Sequence, residues 1–236
     1  MTVTIKASDL VRVLSNALPF AMRGIDLPQL AGVCIEAQDG VFTATATDRY
    51  VFGHARTTCT GSLDGQAILR LADVETLLSL YRPSFKGRGK VSPTISVSAE
   101  QKGEHRILRF ALDEVETFDV AAELGIGFRT VKAEFPKYVG IFDKTRSKKV
   151  GLDRGIALDP TKLAKFARVN HSLSDPMRVY VYGPSSAVII EFGDYFVGMI
   201  MPVRLGDAAH EPKPEHLNPV LPVGHAKPEK AEEVAA

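Results

Sequence analysis

The sequence of 236 residues predicts an α+β fold made of repeated strand–helix–antiparallel-strand units, with the helices on one face of a curved antiparallel sheet. Amphipathic stretches of helical period begin near residues 8, 71 and 159. A strand precedes each of them and alternating, hairpin-forming segments follow. A unit that recurs in this way usually stacks on its neighbours to complete a shared core.

Residues 2–7 alternate as a strand. Ser8 then reads as the cap of a helix to about Ala21, with Leu10, Val11, Leu14, Ala17 and Leu18 on the inner face. Ala31 to Gln38 and Val41 to Thr47 form a hairpin around Asp39-Gly40, a pair suited to a tight type I′ turn. Tyr50 to Thr58 and Gln66 to Arg70 are further strands. A second helix covers about Leu71 to Tyr81 and buries Val74, Leu77, Leu78 and Tyr81. Thr94 to Ala99 and His105 to Leu112 make another hairpin, and strand character continues through Phe118-Asp119-Val120.

The third unit opens with Ile156-Ala157-Leu158. Asp159 is its N-cap and Pro160 takes the first helical position, where a missing N–H does no harm. The helix runs to about Val169 and buries Leu163 and Phe166. Met177 to Tyr182 and Ala187 to Phe192 pair around Gly183-Pro184-Ser185-Ser186, and a last strand ends at Leu205. Its final residues, Met201-Pro202-Val203-Arg204-Leu205, read as a surface lip, because proline cannot donate to a central ladder and arginine is rarely buried unpaired. An apolar lip of that kind marks a docking place.

These elements divide the chain into a complete two-unit domain over 1–143, an abbreviated one-unit domain over 144–205, and a disordered tail over 206–236. The basic run Lys144-Thr145-Arg146-Ser147-Lys148-Lys149 reads as the link between the domains. The tail holds five of the 14 prolines, six acids and three lysines, which leaves the body with 26 basic and 22 acidic residues. Bulk attraction from so small an excess does not hold nucleic acid, so any DNA-binding charge must be gathered on one surface.

Catalytic and metal chemistry find no footing here. The six histidines show no metal-ligand spacing. Gly87-Arg88-Gly89-Lys90 is too short for a phosphate loop and opens no helix. Asp39 and Asp48 read as turn residues. Cys34 and Cys59 read as reduced, semi-buried thiols. No signal peptide and no membrane-length apolar run is present, so the expected location is the cytoplasm, without a membrane partner. A binding module, without enzymatic activity or cofactor, is the expected class.

Four stretches resemble one family. Leu27-Pro28-Gln29-Leu30-Ala31-Gly32-Val33 is similar to the Leu-Pro-Ile-Leu-x-x-Val that opens a first hairpin, and Thr45-Ala46-Thr47-Asp48-Arg49-Tyr50 to the Thr-Ala-Thr-Asp at its far end. Phe135-Pro136-Lys137-Tyr138 resembles Phe-Pro-Asp-Tyr at a domain end, and Met201 to Leu205 resembles a terminal Met-Pro-Met-Arg-Leu. The family is the bacterial-type DNA sliding clamp, the beta subunit of DNA polymerase III. Taken in order, the motifs span nearly all of 1–205. The family has three two-unit domains per chain and chains that stop at that leucine, so this sequence resembles a shortened, phage-like version.

The resemblance implies a homo-oligomeric ring around duplex DNA, lined by helices that meet phosphates without reading bases. The implied DNA-facing residues are Lys162, Lys165 and Arg168 on the third helix and Arg12, beside Ser15 and Asn16, on the first. Arg23 matches a family position near DNA, and Arg82, Lys86, Arg88 and Lys90 lie in a loop without acids. Any one of these lysines alone reads as a solvated helix face. The resemblance also implies a pocket for short linear peptides of a DNA polymerase and a clamp-loader ATPase. Thr47, Arg49, Tyr50 and Phe52 would line it from the hairpin, and Pro136, Val139 and Ile141 from the domain end. Met199, Met201, Pro202, Val203, Arg204 and Leu205 would form its lip. A processivity clamp is the function implied. The alternative is an open, clamp-like decoy that captures such peptides and modulates a host replisome.

Overall fold

The computed structural model describes residues 1–24, 27–82, 92–112, 125–147, 156–169, 174–183 and 185–204. Phe118-Asp119-Val120, Lys86, Arg88, Lys90, Lys148, Lys149 and Leu205 lie outside these residues.

The first unit comprises β1 (Thr2–Lys6), α1 (Ala7–Ala17), β2 (Gly32–Gln38), β3 (Val41–Thr47), β4 (Val51–Thr58) and the two-residue β5 (Thr60–Gly61). The second comprises β6 (Ala67–Arg70), α2 (Leu71–Tyr81), β7 (Thr94–Lys102), β8 (His105–Leu112) and β9 (Ile126–Arg129). After α3 (Val139–Arg146), the third unit supplies α4 (Pro160–Leu163), β10 (Arg178–Tyr180), β11 (Val188–Phe192) and β12 (Phe196–Ile200). The strands form two antiparallel sheets, one in the order β5-β1-β7-β8-β9 and one in the order β10-β11-β12-β4-β3-β2-β6. The third unit therefore extends the first unit's sheet, with β12 paired along β4. The Asp39-Gly40 turn has φ of 52° and 78°, both positive, as a type I′ hairpin demands.

Strand alternation sorts the larger sheet into two faces. Val33, Ile35, Phe42, Ala44, Val51, Ala55, Val188, Ile190 and Ile200 join α1 and α2 in the main core, which also takes Ile5, Val97 and Phe110 from the smaller sheet. α1 and α2 pack against strands as well as against each other, and the third segment meets the sheet through Phe166, which packs on Phe196 of β12. On the opposite face, Cys34, Phe52, Ile68, Ile189 and Met199 meet Phe135, Tyr138 and Phe142. Residues 131–142 lie over this outer face after Val131 N–H bonds to Ile68 O at 2.8 Å, so both faces of the sheet are covered. Burial here, with a smaller rise from Glu36, pushes the Cys34 thiol up to about 12 and leaves it inert.

Five expectations need correction. Ser8 is not the cap of α1, which starts at Ala7 with no side-chain cap. Its first donors are satisfied by tertiary contacts, Ala7 N–H to Pro93 O and Ser8 N–H to Ser92 Oγ, both at 2.8 Å. Asn16, read as part of a polar outer face, is fully buried, because α1 is covered on more than one side. The residues read as an interdomain link contain α3, tied to β11 by an Arg146–Glu191 ion pair of 2.8 Å, so the 143/144 boundary falls inside a helix. The third helix is not continuous to Val169. Asp159 caps α4 as expected, through Thr161 N–H at 2.8 Å. The chain then tightens to i→i−3 bonds (Lys165 to Lys162, Arg168 to Lys165) and a 3₁₀ turn at Phe166–Arg168. Ile156-Ala157-Leu158 contributes only a bridge from Ala157 to Val203.

The third unit is joined to the first through paired glycines. Gly53 of β4 faces Gly198 of β12, and their bare surface lets Phe20, Phe166 and Phe196 pack together, with ring centroids 4.9, 5.5 and 6.4 Å apart. A methyl at Gly198 would stand 2.6 Å from the Phe166 ring and 2.7 Å from the Phe52 carbonyl. Gly198→Ala should therefore lower stability by about 1–3 kcal/mol, the usual penalty of overpacking, read from urea denaturation.

His54 sits under the outer cluster, its Nδ1 2.8 Å from Thr45 Oγ1 and its ring stacked on Phe52. Burial, with Arg56 nearby, depresses its pKa from 6.5 to about 4. The folded state disfavours the protonated ring, so this contribution is complete above pH 6.5 and drains away as pH falls towards 4. The loss should reach about 3 kcal/mol, and His54→Gln should flatten the pH dependence of unfolding in that window.

Candidate peptide pocket and basic cleft

The tip of the β3–β4 hairpin, Thr47-Asp48-Arg49-Tyr50, organises everything around it. Arg49 has φ 82°, a left-handed conformation that arginine adopts at a penalty. Side-chain bonds hold it there. Asp48 Oδ1 accepts from Tyr50 N–H at 3.0 Å and Val51 N–H at 2.9 Å, and Thr47 Oγ1 donates to Val51 O at 2.7 Å while accepting from Arg49 N–H at 3.2 Å. The other carboxylate oxygen reaches the third unit: Oδ2 accepts from Lys162 Nζ at 2.6 Å and Lys165 Nζ at 2.7 Å. Burial pushes the Asp48 carboxyl up, but the two ammonium groups and two backbone donors outweigh it and hold it below the ordinary carboxylate range. It is an ionised, 7% exposed hub.

On the outer side of the tip lies an apolar pocket of about 190 Å³. Its lining is Leu30, Thr47, Arg49, Tyr50, Val51, Phe52, Phe135, Pro136, Lys137, Tyr138, Ile141, Met199 and Met201. Eight of the residues expected at a peptide pocket thus come together. Val139 does not join them; it is 63% exposed on α3. Pro202, Val203 and Arg204 continue past the pocket, where Met201 N–H bonds Tyr50 O and Val203 N–H bonds Ala157 O, both at 2.8 Å. Met201 and Val203 remain 44% and 46% exposed, so the lip is apolar and open. Leu30, Val51, Phe135, Lys137 and Tyr138 were not expected as lining, although Phe135, Lys137 and Tyr138 belong to the same Phe-Pro-Lys-Tyr stretch as Pro136.

On the inner side of the tip is a cleft of about 600 Å³ lined by Pro19, Ala21, Met22, Arg23, Asp48, Tyr50, Thr161, Lys162, Ala164, Lys165 and Arg168. The i→i−3 winding puts Lys162, Lys165 and Arg168 in one row, since side chains three apart eclipse in a 3₁₀ turn. Arg23 faces them. Tyr50, 59% exposed, lines both cleft and pocket, and Lys162 Nζ sits 5.2 Å from its ring centroid. Arg12 and Arg82 lie elsewhere. Arg12 bonds Asp9 at 3.3 Å and Thr57 at 3.0 Å beneath the Tyr195 ring, and Arg82 donates to Ser15 Oγ at 3.1 Å. The pairing of Asp48 with two lysines more than a hundred residues away left no local signal in the sequence.

The sequence matches no protein-family model, and no curated protein matches it. Solved structures do match the fold. The DNA polymerase sliding clamp of Pseudomonas aeruginosa superposes with a TM-score of 0.65 at 14% identity, over 87% of this chain and 67% of the other. The DNA polymerase III beta subunit of Thermotoga maritima gives 0.64 at 14%, over 87% and 66%. The Bacillus subtilis sliding clamp gives 0.65 at 11%, over 87% and 65%. The chain spans about two thirds of the length of the clamps it matches, and over that span its fold is that of the bacterial DNA polymerase III beta sliding clamp.

Proposed function

We propose that this protein is a DNA sliding clamp: a non-catalytic, ring-forming accessory that encircles duplex DNA and tethers a replicative polymerase. The observation that carries the reading is the apolar pocket at the hairpin tip, sitting on a clamp fold and bringing together residues that the family resemblance had nominated. Methionine and aromatic walls suit a groove that accepts several linear peptides, since thioethers repack at little expense. Polymerase and clamp-loader ATPase are the proposed peptide donors, and the cytoplasm the proposed location. The proposed organisation is a complete domain followed by an abbreviated one that share the larger sheet.

The DNA-facing charge we assign to Arg23 and the Lys162–Lys165–Arg168 row. Lys162 and Lys165 share one carboxylate, so Arg23 and Arg168 are the exposed cations best placed to meet phosphates. A second reading, the open decoy that captures peptides without encircling DNA, draws support from α2, whose exposed face carries the acid Glu75 and whose other acid, Asp73, already pairs with Arg70 at 3.0 Å.

Light scattering separates the two readings, with a closed oligomer expected for the clamp and a monomer for the decoy. On nicked circular DNA, the double substitution Arg23→Glu and Arg168→Glu should shorten retention at least about tenfold and reduce its salt dependence. Equal retention would remove the cleft from the DNA surface. Met201→Glu should weaken capture of a polymerase-derived clamp-binding peptide by at least about tenfold, about 1.4 kcal/mol, measured by fluorescence anisotropy.

A further inference from the structure

We infer that the apolar pocket is also the docking site of this chain's own segment 211–223. The inference rests on reading that pocket as a linear-peptide site and adds an occupant in cis, which competes with partner peptides.

Three observations support this occupant. The first is where the described chain leads. Met201 lines the pocket, with its N–H on Tyr50 O, and Arg204 follows three residues later. Residues after Arg204 are therefore tethered within three residues of the pocket lining. Sixteen intervening steps separate Arg204 from Val220, and a coil of that length averages about 20–24 Å end to end. Such a tether gives an effective concentration on the order of millimolar.

The second is chemistry. Val220-Leu221-Pro222-Val223 is the most apolar stretch beyond Leu205, and Pro219 and Pro222 bias it towards an extended, polyproline-like backbone. Extended proline-containing segments are recognised by aromatic-lined grooves. This pocket presents the rings of Tyr50, Phe52, Phe135 and Tyr138. Its 190 Å³ is below the ~300–1,000 Å³ of drug-sized sites and accepts side chains from a single strand.

The third is charge. Glu211 and Glu215 precede the apolar run, and residues 206–236 carry six acids against three lysines. Across Tyr50 from the pocket, Arg23, Lys162, Lys165 and Arg168 line the basic cleft against one carboxylate, Asp48. A segment with its aliphatic residues in the pocket and its glutamates toward the cleft satisfies both surfaces. Added salt weakens the second contact.

The test uses the full-length protein labelled with ¹³C at the methionine methyls, which places reporters at Met199 and Met201. Substituting Val220→Asp and Leu221→Asp together should shift both resonances. Adding the unlabelled peptide of residues 211–225 to that variant should return them to their original positions. The same peptide should bind the unsubstituted protein about tenfold more weakly than the variant, because the cis segment competes at millimolar effective concentration. Identical Met199 and Met201 resonances in the two proteins would overturn the inference, as would a shift that grows with protein concentration, which assigns the occupant to a second copy. If a polymerase-derived clamp-binding peptide moves these methyls while the 211–225 peptide does not, the cis occupant is lost and the pocket reading stands. If neither peptide moves them, both are lost.

Discussion

One buried carboxylate holds the β3–β4 hairpin tip and the third unit together. Asp48 uses one oxygen to fold the tip of the β3–β4 hairpin and the other to clasp two lysines of the third unit. Each job supports the other. The backbone donors fix the carboxylate where the lysines converge, and the lysines keep it ionised and so a strong acceptor. Leaving such a group unpaired is expensive in a buried setting, which makes the clasp a strong constraint on how the third unit sits. Because Arg49 and Tyr50 hang on that same turn, the shapes of the apolar pocket and of the basic cleft depend on it together.

That clasp changes what the basic row can do. Three cations aligned by 3₁₀ winding look from the sequence like three free phosphate contacts. Two of them are committed to a shared acid, and the row presents a smaller field with its exposed charge at Arg168. A weaker, structured field is compatible with a protein that holds DNA by enclosing it, because topology can replace affinity. It is equally a surface that an acidic peptide can neutralise.

The units, most of their strands and the face that α2 buries were legible because hydrophobic period and turn chemistry are local. Asp39-Gly40 and Asp159-Pro160 are examples in which a dipeptide dictates its own conformation. The errors are tertiary. Ser8 yields capping to Ser92 and Pro93, Asn16 is swallowed by a helix covered on several sides, and α3 forms in a run that reads as a charged link because Phe142 anchors it to the outer face. At the site, the family motifs pointed to Thr47, Tyr50, Phe52, Pro136 and Met201, all of which line one pocket. Nothing in the spacing of Asp48, Lys162 and Lys165 announced that they meet, since only the continuous sheet brings them together.

That sheet also imposes an order on how the protein is made. β4 lies in the interior of the larger sheet and its outer partner is β12, the last strand described. During translation β4 therefore emerges with one backbone edge unpaired, and that edge stays open until β12 leaves the ribosome. Long-range pairing of this sort is slow and leaves a sticky intermediate exposed. A stalled or prematurely terminated product would carry β4 as an open β-edge, a ready template for pairing with another chain.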